Sequence, residues 1–360
     1  MNYYVYLFKK LDNFCRINSN KVEYNEISGN QNIKGGLGVK RTLIILMVSL
    51  LVVGLLAGCG GTKSADQKAP AKQFINIATG GTAGVYYPLG GAIAEILNKN
   101  IPGMNATAQS TGASVANINM LKDSKVELAL VQNDTAYYAF NGTEMFKDKK
   151  VANVRGVSTL YNETIQIVVL ENSSIKSISD LKGKKVAVGS IGSGTEANAR
   201  QILETYGITY NDMSPQYLSF GEAANGLKDG NVDAAFVTAG YPTAAIQDIA
   251  FQNKVRLLPF DADKADALIK KYPFYAKQIV KANSYPGQTT DISTVAVKAM
   301  LVVPAGIDND TVYKMVKAIY GNTDRLKAAH KLGEGITKET AAEGMPIPLH
   351  PGAEKFFKEK

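Results

Sequence analysis

The sequence predicts an α/β protein of two similar lobes joined by two hinge crossovers, with a ligand cleft between them. Three observations carry that prediction. A short apolar strand, a glycine-rich turn and an amphipathic helix follow one another over residues 74–97, and again over residues 185–203. The segment Leu121 to Val131 aligns without gaps on Leu227 to Val237, an offset of 106 residues. Two further apolar runs, Ile165 to Leu170 and Thr289 to Val303, read as strands that carry the chain into the second lobe and back. A chain of 360 residues, 45% hydrophobic and 20% charged, has the length for two medium domains and the composition of a globular protein. Two His and two Cys cannot build a His-rich zinc site, a four-cysteine cluster or a set of disulfides, so neither metal nor cofactor is expected.

The chain opens on a processing segment. Lys40 and Arg41 precede fifteen uncharged residues, Leu43 to Ala57, which close in Leu56-Ala57-Gly58-Cys59. A basic start, an apolar stretch and small residues ahead of a cut describe a secretory signal over residues 1–58. The stretch is shorter than the roughly 18 residues of a membrane span. Its ending resembles the lipobox of bacterial lipoproteins, which implies a lipid on the Cys59 sulfur. The protein is then expected outside the cytoplasm, anchored to the outer face of the cell membrane or in the periplasm. Residues 59–73 have the composition of a flexible tether. Residues 1–38 exceed what a signal needs; Lys34-Gly35-Gly36 can be encoded by a ribosome-binding sequence and Val39 by a GTG start, so an over-extended gene start is expected there. The net charge of +8 shrinks accordingly. Residues 1–58 hold seven of the 40 basic and three of the 32 acidic residues, which leaves 33 against 29 and no case for a nucleic-acid partner.

Along the folded part, Phe74 to Thr79 is the first strand and Gly80-Gly81-Thr82-Ala83-Gly84 its turn, with Leu89, Ile93, Ile96 and Leu97 at helical spacing after it. Ser110-Thr111-Gly112-Ala113-Ser114 is a second small-polar turn, before a helix over residues 115–121. Leu121-Lys122-Asp123 ends that helix, Ser124-Lys125 turns, and Glu127 enters a buried strand; Leu227-Lys228-Asp229, Gly230-Asn231 and Asp233 repeat the arrangement. Thr159 to Thr164 leads into the first crossing. Lys185 to Gly189 is the first strand of the second lobe, followed by the turn Ser190 to Thr195 and a helix stopped at Gly207. The return crossing follows the turn-rich Asn283 to Gly287. Val312, Met315, Val316 and Ile319 then share one face of a helix, Asp310 to Tyr320, that completes the first lobe. Residues 74–162 and 293–360 form lobe I on this reading, and residues 163–292 form lobe II.

Each glycine-rich turn ends a strand and opens a helix, where free N–H groups and about half a positive charge favour an anion. Ligands of α/β sheets bind at the carboxyl ends of strands. The turns at Thr82 to Tyr87, Ser110 to Ser114 and Ser193 to Thr195 therefore suit a small carboxylate, although each serves equally to cap its own helix. Gln132 and Asn133, and Thr238, Ala239 and Gly240, end the repeated strands and face the same cleft. Of Tyr86 and Tyr87, at most one ring faces the cleft. Glu163 is the hinge carboxylate; it has no partner that would make it a general base, and ligand contact or hinge hydrogen bonding is expected. An enzyme is not expected. Ser173-Ser174-Ile175-Lys176 matches S-x-x-K without the K-T-G that should follow, and neither G-x-S-x-G, a phosphate-binding loop nor a complete G-x-G-x-x-G is present. His330 and His350 stand alone and read as surface or packing residues.

Three stretches go further: Thr79-Gly80-Gly81-Thr82-Ala83-Gly84-Val85-Tyr86-Tyr87-Pro88-Leu89-Gly90, Ser110 to Val115, and Leu181-Lys182-Gly183-Lys184-Lys185-Val186-Ala187-Val188-Gly189 with Gly192 to Thr195. Over about residues 74–357 the sequence resembles the TAXI family, the solute receptors of TRAP transporters, within the periplasmic-binding-protein type II superfamily. The resemblance implies a monomer that captures a small organic acid, glutamate-like or a dicarboxylate, and delivers it to a fused, ion-gradient-driven TRAP permease without ATP. Carried over by motif, the ligand would meet Thr82, Gly84, Tyr86, Ser110, Thr111, Ala113 and Ser114 in one lobe and Gly194 and Thr195 in the other. Thr82→Val or Ser114→Ala should then weaken binding. The sequence departs from the family at the crossing, where Leu-Tyr-Pro-Glu and a nearby His are frequent: here stand Leu160-Tyr161-Asn162-Glu163 and Gln166, a change that bears on hinge stiffness and ligand identity. A receptor feeding a sensor kinase and a surface adhesion lipoprotein remain open as alternatives.

Overall fold

A computed structural model of the chain describes residues 72–359, so the signal segment, the lipobox with Cys59, all but the end of the tether and the doubtful start lie outside the described residues. In chain order the elements are β1 (Gln73–Ala78), α1 (Tyr86–Asn100), β2 (Met104–Gln109), α2 (Ser114–Lys122), β3 (Leu128–Gln132), α3 (Asn133–Asn141) and β4 (Val154–Leu170). Then follow β5 (Lys185–Ala187), α4 (Gly194–Thr205), β6 (Ser214–Gln216), α5 (Phe220–Lys228), β7 (Ala234–Ala239), α6 (Ala244–Gln252), β8 (Val255–Leu257), α7 (Ala262–Lys271) and β9 (Ala276–Val280). The chain finishes with β10 (Ile292–Pro304), α8 (Asn309–Tyr320), α9 (Thr323–Ala329) and α10 (Pro351–Lys358). Among the described residues no helix is long and apolar enough to cross a membrane.

The strands form one sheet in the order β2-β1-β3-β10-β4-β7-β5-β6, with β8 added to β4 and β9 to β10. Its seam is the antiparallel pair of long strands, β10 and β4. Outward from the seam the two sides match: β10 lies antiparallel to β3, and β3, β1 and β2 are parallel; β4 lies antiparallel to β7, and β7, β5 and β6 are parallel. Each long strand crosses the hinge. β4 pairs with β10 from Val154 to Thr164 and with β7 from Thr164 to Val168, whereas β10 pairs with β9 up to Ala296 and with β3 from Ala299. The fold is thus α/β, two similar lobes joined by two crossovers, as the sequence predicts.

The internal repeat is a repeat of hydrogen bonds. In the first copy Ser124 takes a left-handed φ of 54°, Lys125 N–H donates to Met120 O, and the Glu127 carboxylate accepts from Asn76 N–H at 2.7 Å. In the second Gly230 has a φ of 71°, Asn231 N–H donates to Gly226 O, and the Asp233 carboxylate accepts from Lys185 N–H at 2.8 Å. The acidic residue therefore ties the repeated strand to the first strand of its own lobe, which explains its place just before the buried run. Within β3 the pleat sends Leu128 and Leu130 to one apolar core and Ala129 and Val131 to the other, one core on each face of the sheet. The expected strand Lys185 to Gly189 is paired as β5 only through Ala187, because Gly189, at a φ of 101°, bends the chain into the Ser190–Ser193 turn. The helix expected at Asp310 to Tyr320 is α8, capped by Asp308, which accepts from Thr311 N–H at 2.9 Å; Val312, Met315, Val316 and Ile319 are all buried.

Candidate functional site

Between the lobes lies a cavity with an empty volume of about 530 Å³, counting its opening to solvent. Four helix starts converge on it: Tyr86 of α1 and Ser114 of α2 from lobe I, Gly194 of α4 and Phe220 of α5 from lobe II. They differ in what they offer. Ser193 caps α4 by accepting from Glu196 N–H at 3.1 Å, and Ser219 forms a capping box with Glu222 on α5. Val85 and Ala113, at the starts of α1 and α2, have no side-chain oxygen to accept with, so these two starts keep their positive ends free of a side-chain cap. Side-chain capping thus accounts for the helix starts of the second lobe and not for those of the first.

The lobes meet on both rims. Ala116 N–H of α2 donates to Gly192 O at 3.0 Å, and Ala245 N–H of α6 donates to Ala83 O at 3.2 Å. Glu163, on β4, forms the floor. It is buried and accepts from the Tyr86 hydroxyl at 3.1 Å. Burial pushes its carboxyl up to about 8, only partly offset by the hydrogen bond from Tyr86. The same burial, with Glu163 beside it, raises the Tyr86 phenol well above its ordinary value. No Lys, Arg or His is among the residues lining the cavity, so an anion there meets only dipoles, hydroxyls and, at neutral pH, an uncharged Glu163.

Glu163 makes stability pH-dependent in a definite direction. The folded chain keeps its proton up to about pH 8, whereas the unfolded chain releases it near the ordinary value of 4.5, so stability falls as pH rises between those values and is level above them. Glu163→Gln removes that dependence. The variant is expected to be more stable than the wild type at pH 9, by on the order of a few kcal/mol, with the gap closing below pH 4.5. Urea unfolding across the pH range checks this; a variant that loses stability at pH 9 contradicts it.

Of the residues expected at the site, Gly84, Tyr86, Thr111, Ala113, Ser114, Gln132, Glu163, Gly194, Thr195 and Thr238 line the cavity. Thr82, Ser110 and Gly240 do not. Thr82 is exposed on the outer side of its turn. The Ser110 hydroxyl is turned to the neighbouring first turn, where it donates to Gly80 O at 2.9 Å. Gly240 packs against Tyr161 and Leu332 beyond the end of β7. The Tyr pair divides as its adjacency requires, Tyr86 inward and Tyr87 exposed. Gln166 is buried away from the cavity, where its Nε2 donates to the Thr243 hydroxyl at 3.0 Å. Sequence reasoning missed Ser219 and Phe220 altogether, although Ser219 and Glu222 spell a capping-box pattern that announces a helix start. His350 is a buried cap, its Nδ1 accepting from Gly352 N–H at 3.2 Å, and His330 is half-buried beside Pro242 O. Ser173 accepts from Ile175 N–H at 3.2 Å in an outlying turn and Lys176 is exposed, so that pair assembles no catalytic centre.

Over 97 residues, 27% of the chain, the sequence is 37% identical to an Escherichia coli protein described as a candidate aliphatic-sulfonates-binding protein; the match spans 29% of that relative's length. Among solved structures the chain resembles the alkanesulfonate-binding protein SsuA of Xanthomonas axonopodis pv. citri bound to MOPS, at 17% identity and a TM-score of 0.47, covering 80% of this chain and 84% of that one. It also resembles the periplasmic aliphatic sulphonate binding protein SsuA of Escherichia coli, at 18% identity and a TM-score of 0.43, covering 79% and 83%. The model of the NMT1-like family matches residues 77–360, a span that takes in both lobes and every residue lining the cavity, and the chain belongs to that family.

Proposed function

We propose that the protein is an extracytoplasmic solute receptor that closes on a small organic anion and hands it to a membrane permease. The observation that carries this reading is the cavity between two lobes, lined by two helix starts without side-chain caps and by hydroxyls. A ligand held there touches both lobes only when they are closed, so binding shifts the population toward closure. The lining offers hydroxyls, amides and one protonated carboxyl without a nucleophile–base pair, which suits binding rather than catalysis. Lobe I comprises residues 74–162 and 293–360 and lobe II residues 163–292; the changes of partner along β4 at Thr164 and along β10 between Ala296 and Ala299 support that division. Cys59 carries the lipid that keeps the receptor at the membrane.

The motifs around Gly80–Gly90 and Gly192–Thr195 favour a TAXI receptor for a glutamate-like acid or dicarboxylate, serving a TRAP permease. The Escherichia coli relative favours a second ligand class, aliphatic sulfonates, whose oxygens the same N–H groups could hold. Titration calorimetry with L-glutamate, C4 and C5 dicarboxylates and short alkanesulfonates separates the two. Carboxylate binding supports the first; binding of sulfonates alone replaces it; no binding by any acid overturns the receptor reading. Uptake through the permease that needs ATP rather than an ion gradient overturns the TRAP assignment. Ser114→Ala is expected to weaken binding about tenfold or more, because the Ser114 hydroxyl accepts from Gln132 N–H at 3.1 Å and holds the cavity wall. Thr82→Val, exposed outside the cavity, is expected to leave the affinity unchanged.

A further inference from the structure

Behind the cavity a file of buried polar side chains crosses from one lobe to the other. Asp134, at the start of α3, is fully buried. One carboxylate oxygen accepts from Thr135 N–H at 2.6 Å and the other from Asn198 Nδ2, on α4, at 2.9 Å. Asn198 Nδ2 also donates to the Tyr275 hydroxyl at 2.8 Å, which donates in turn to Gln201 Oε1 at 2.8 Å. Asn198 Oδ1 accepts from Gln132 Nε2 at 3.0 Å. Gln132 Oε1 makes no hydrogen bond and lies buried against Gly194 in the cavity lining, with the Glu163 carboxyl in reach of the same amide, and the Thr238 hydroxyl in that lining is also without a partner.

The orientation of each amide follows from the one behind it. A carboxylate can only accept, so Asn198 must turn its NH₂ toward Asp134, and its two amide protons are then both engaged. Its oxygen is thereby presented to Gln132, which must answer with its own NH₂ and turn its oxygen toward the ligand space. Reversing Gln132 alone would set two carbonyl oxygens face to face in a buried place. Burial raises Asp134 to about 6, so it is ionised above that pH.

We propose that Asp134, acting through Asn198, is a positioning residue that fixes the Gln132 carbonyl oxygen toward the cavity, so that the site selects small acids carrying a hydrogen-bond donor, an ammonium or a hydroxyl, over the same acid without one. The proposal rests on the receptor reading above. A ligand lacking the donor leaves the Gln132 oxygen buried and unpaired when the lobes close, and sites built around such a group reject the deficient analogue strongly.

The test uses ligand pairs that differ by one ammonium group, L-glutamate against glutarate and taurine against ethanesulfonate, titrated calorimetrically into the whole receptor above pH 6, where Asp134 is ionised. The wild type is expected to prefer the amine-bearing member at least tenfold. Asp134→Asn, whose amide can turn either end to Asn198, is expected to lower that ratio several-fold by strengthening the poorer ligand relative to the better one. A merely structural role would weaken both alike. Should Asp134→Asn not fold, Asn198→Ser serves, since a hydroxyl donates as readily as it accepts and cannot hold the polarity. Equal affinity for both members of a pair, or a ratio untouched by the variant, overturns the proposal while leaving the receptor reading intact; failure of all four acids to bind overturns both.

Discussion

Gly194→Ala is expected to lower ligand affinity by about a hundredfold, close to 3 kcal/mol, the upper end of what overpacking a tight contact costs. Gly194 opens α4 in lobe II, and a methyl group there would overlap Gln132 Oε1 and Cδ in lobe I. A long side chain ordinarily moves aside at little cost. Gln132 is not free to do so, because its Nε2 is bound to Asn198 at 3.0 Å and its backbone N–H to the Ser114 hydroxyl at 3.1 Å. On the proposed receptor reading, in which the lobes open without ligand, the clash exists only in the closed form. The ligand-free protein can relieve it by opening, so its melting temperature should shift by no more than roughly 2 °C, well under what a 3 kcal/mol loss would cause. Calorimetric titration beside scanning calorimetry of the ligand-free form separates the two effects. An unchanged affinity would show that the closed lobes do not bring Gly194 against Gln132.

Gly352→Ala should do the reverse, destabilising the fold while sparing the site. Gly352 follows Pro351 in the first turn of α10, and a Cβ there would overlap the Asn309 carbonyl oxygen and stand 2.8 Å from Tyr313 N and 3.0 Å from Val312 Cβ. These are backbone and near-backbone atoms of α8, which cannot rotate away as a side-chain tip does. The helix must retreat, and His350 resists that: its Nδ1 accepts from Gly352 N–H at 3.2 Å and its Nε2 lies 3.0 Å from Ile307 O. A loss of about 3 kcal/mol and a fall in melting temperature of roughly 6 °C or more are expected, with ligand affinity unchanged because α10 does not line the cavity. A melting point within 2 °C of the wild type would mean that α10 slides on α8 without loss.

Much of the site was legible because it is local. The turns at Gly80–Gly84, Thr111–Ser114 and Ser193–Thr195 each lie within a few residues of the strand and helix they join, and strand–turn–helix order alone places them at one end of the sheet. Glu163 was legible from its place on a crossing strand. The direction in which a turn residue points was not. Thr82 and Ser110 have the right chemistry in the right turns, yet one faces solvent and the other, outside the cavity lining, donates across to Gly80 O, and composition does not distinguish either from Thr111, which lines it. Ser219 could have been found from its capping-box spacing to Glu222, but its role as a wall depends on a helix start from the other lobe meeting Gly84 across the cavity.

What the sequence by itself determined is the α/β class, the duplication and the anion-favouring helix starts, since hydrophobic period, turn chemistry and the 106-residue repeat are all written in near neighbours. Only the tertiary structure decided the polarity of the cavity. Asp134 and Asn198 stand 64 residues apart, and Asn198 and Tyr275 stand 77 apart, so nothing in the order of the chain relates them. Burial brings them into contact, removes the water that would have satisfied either end of an amide, and so leaves each amide one orientation.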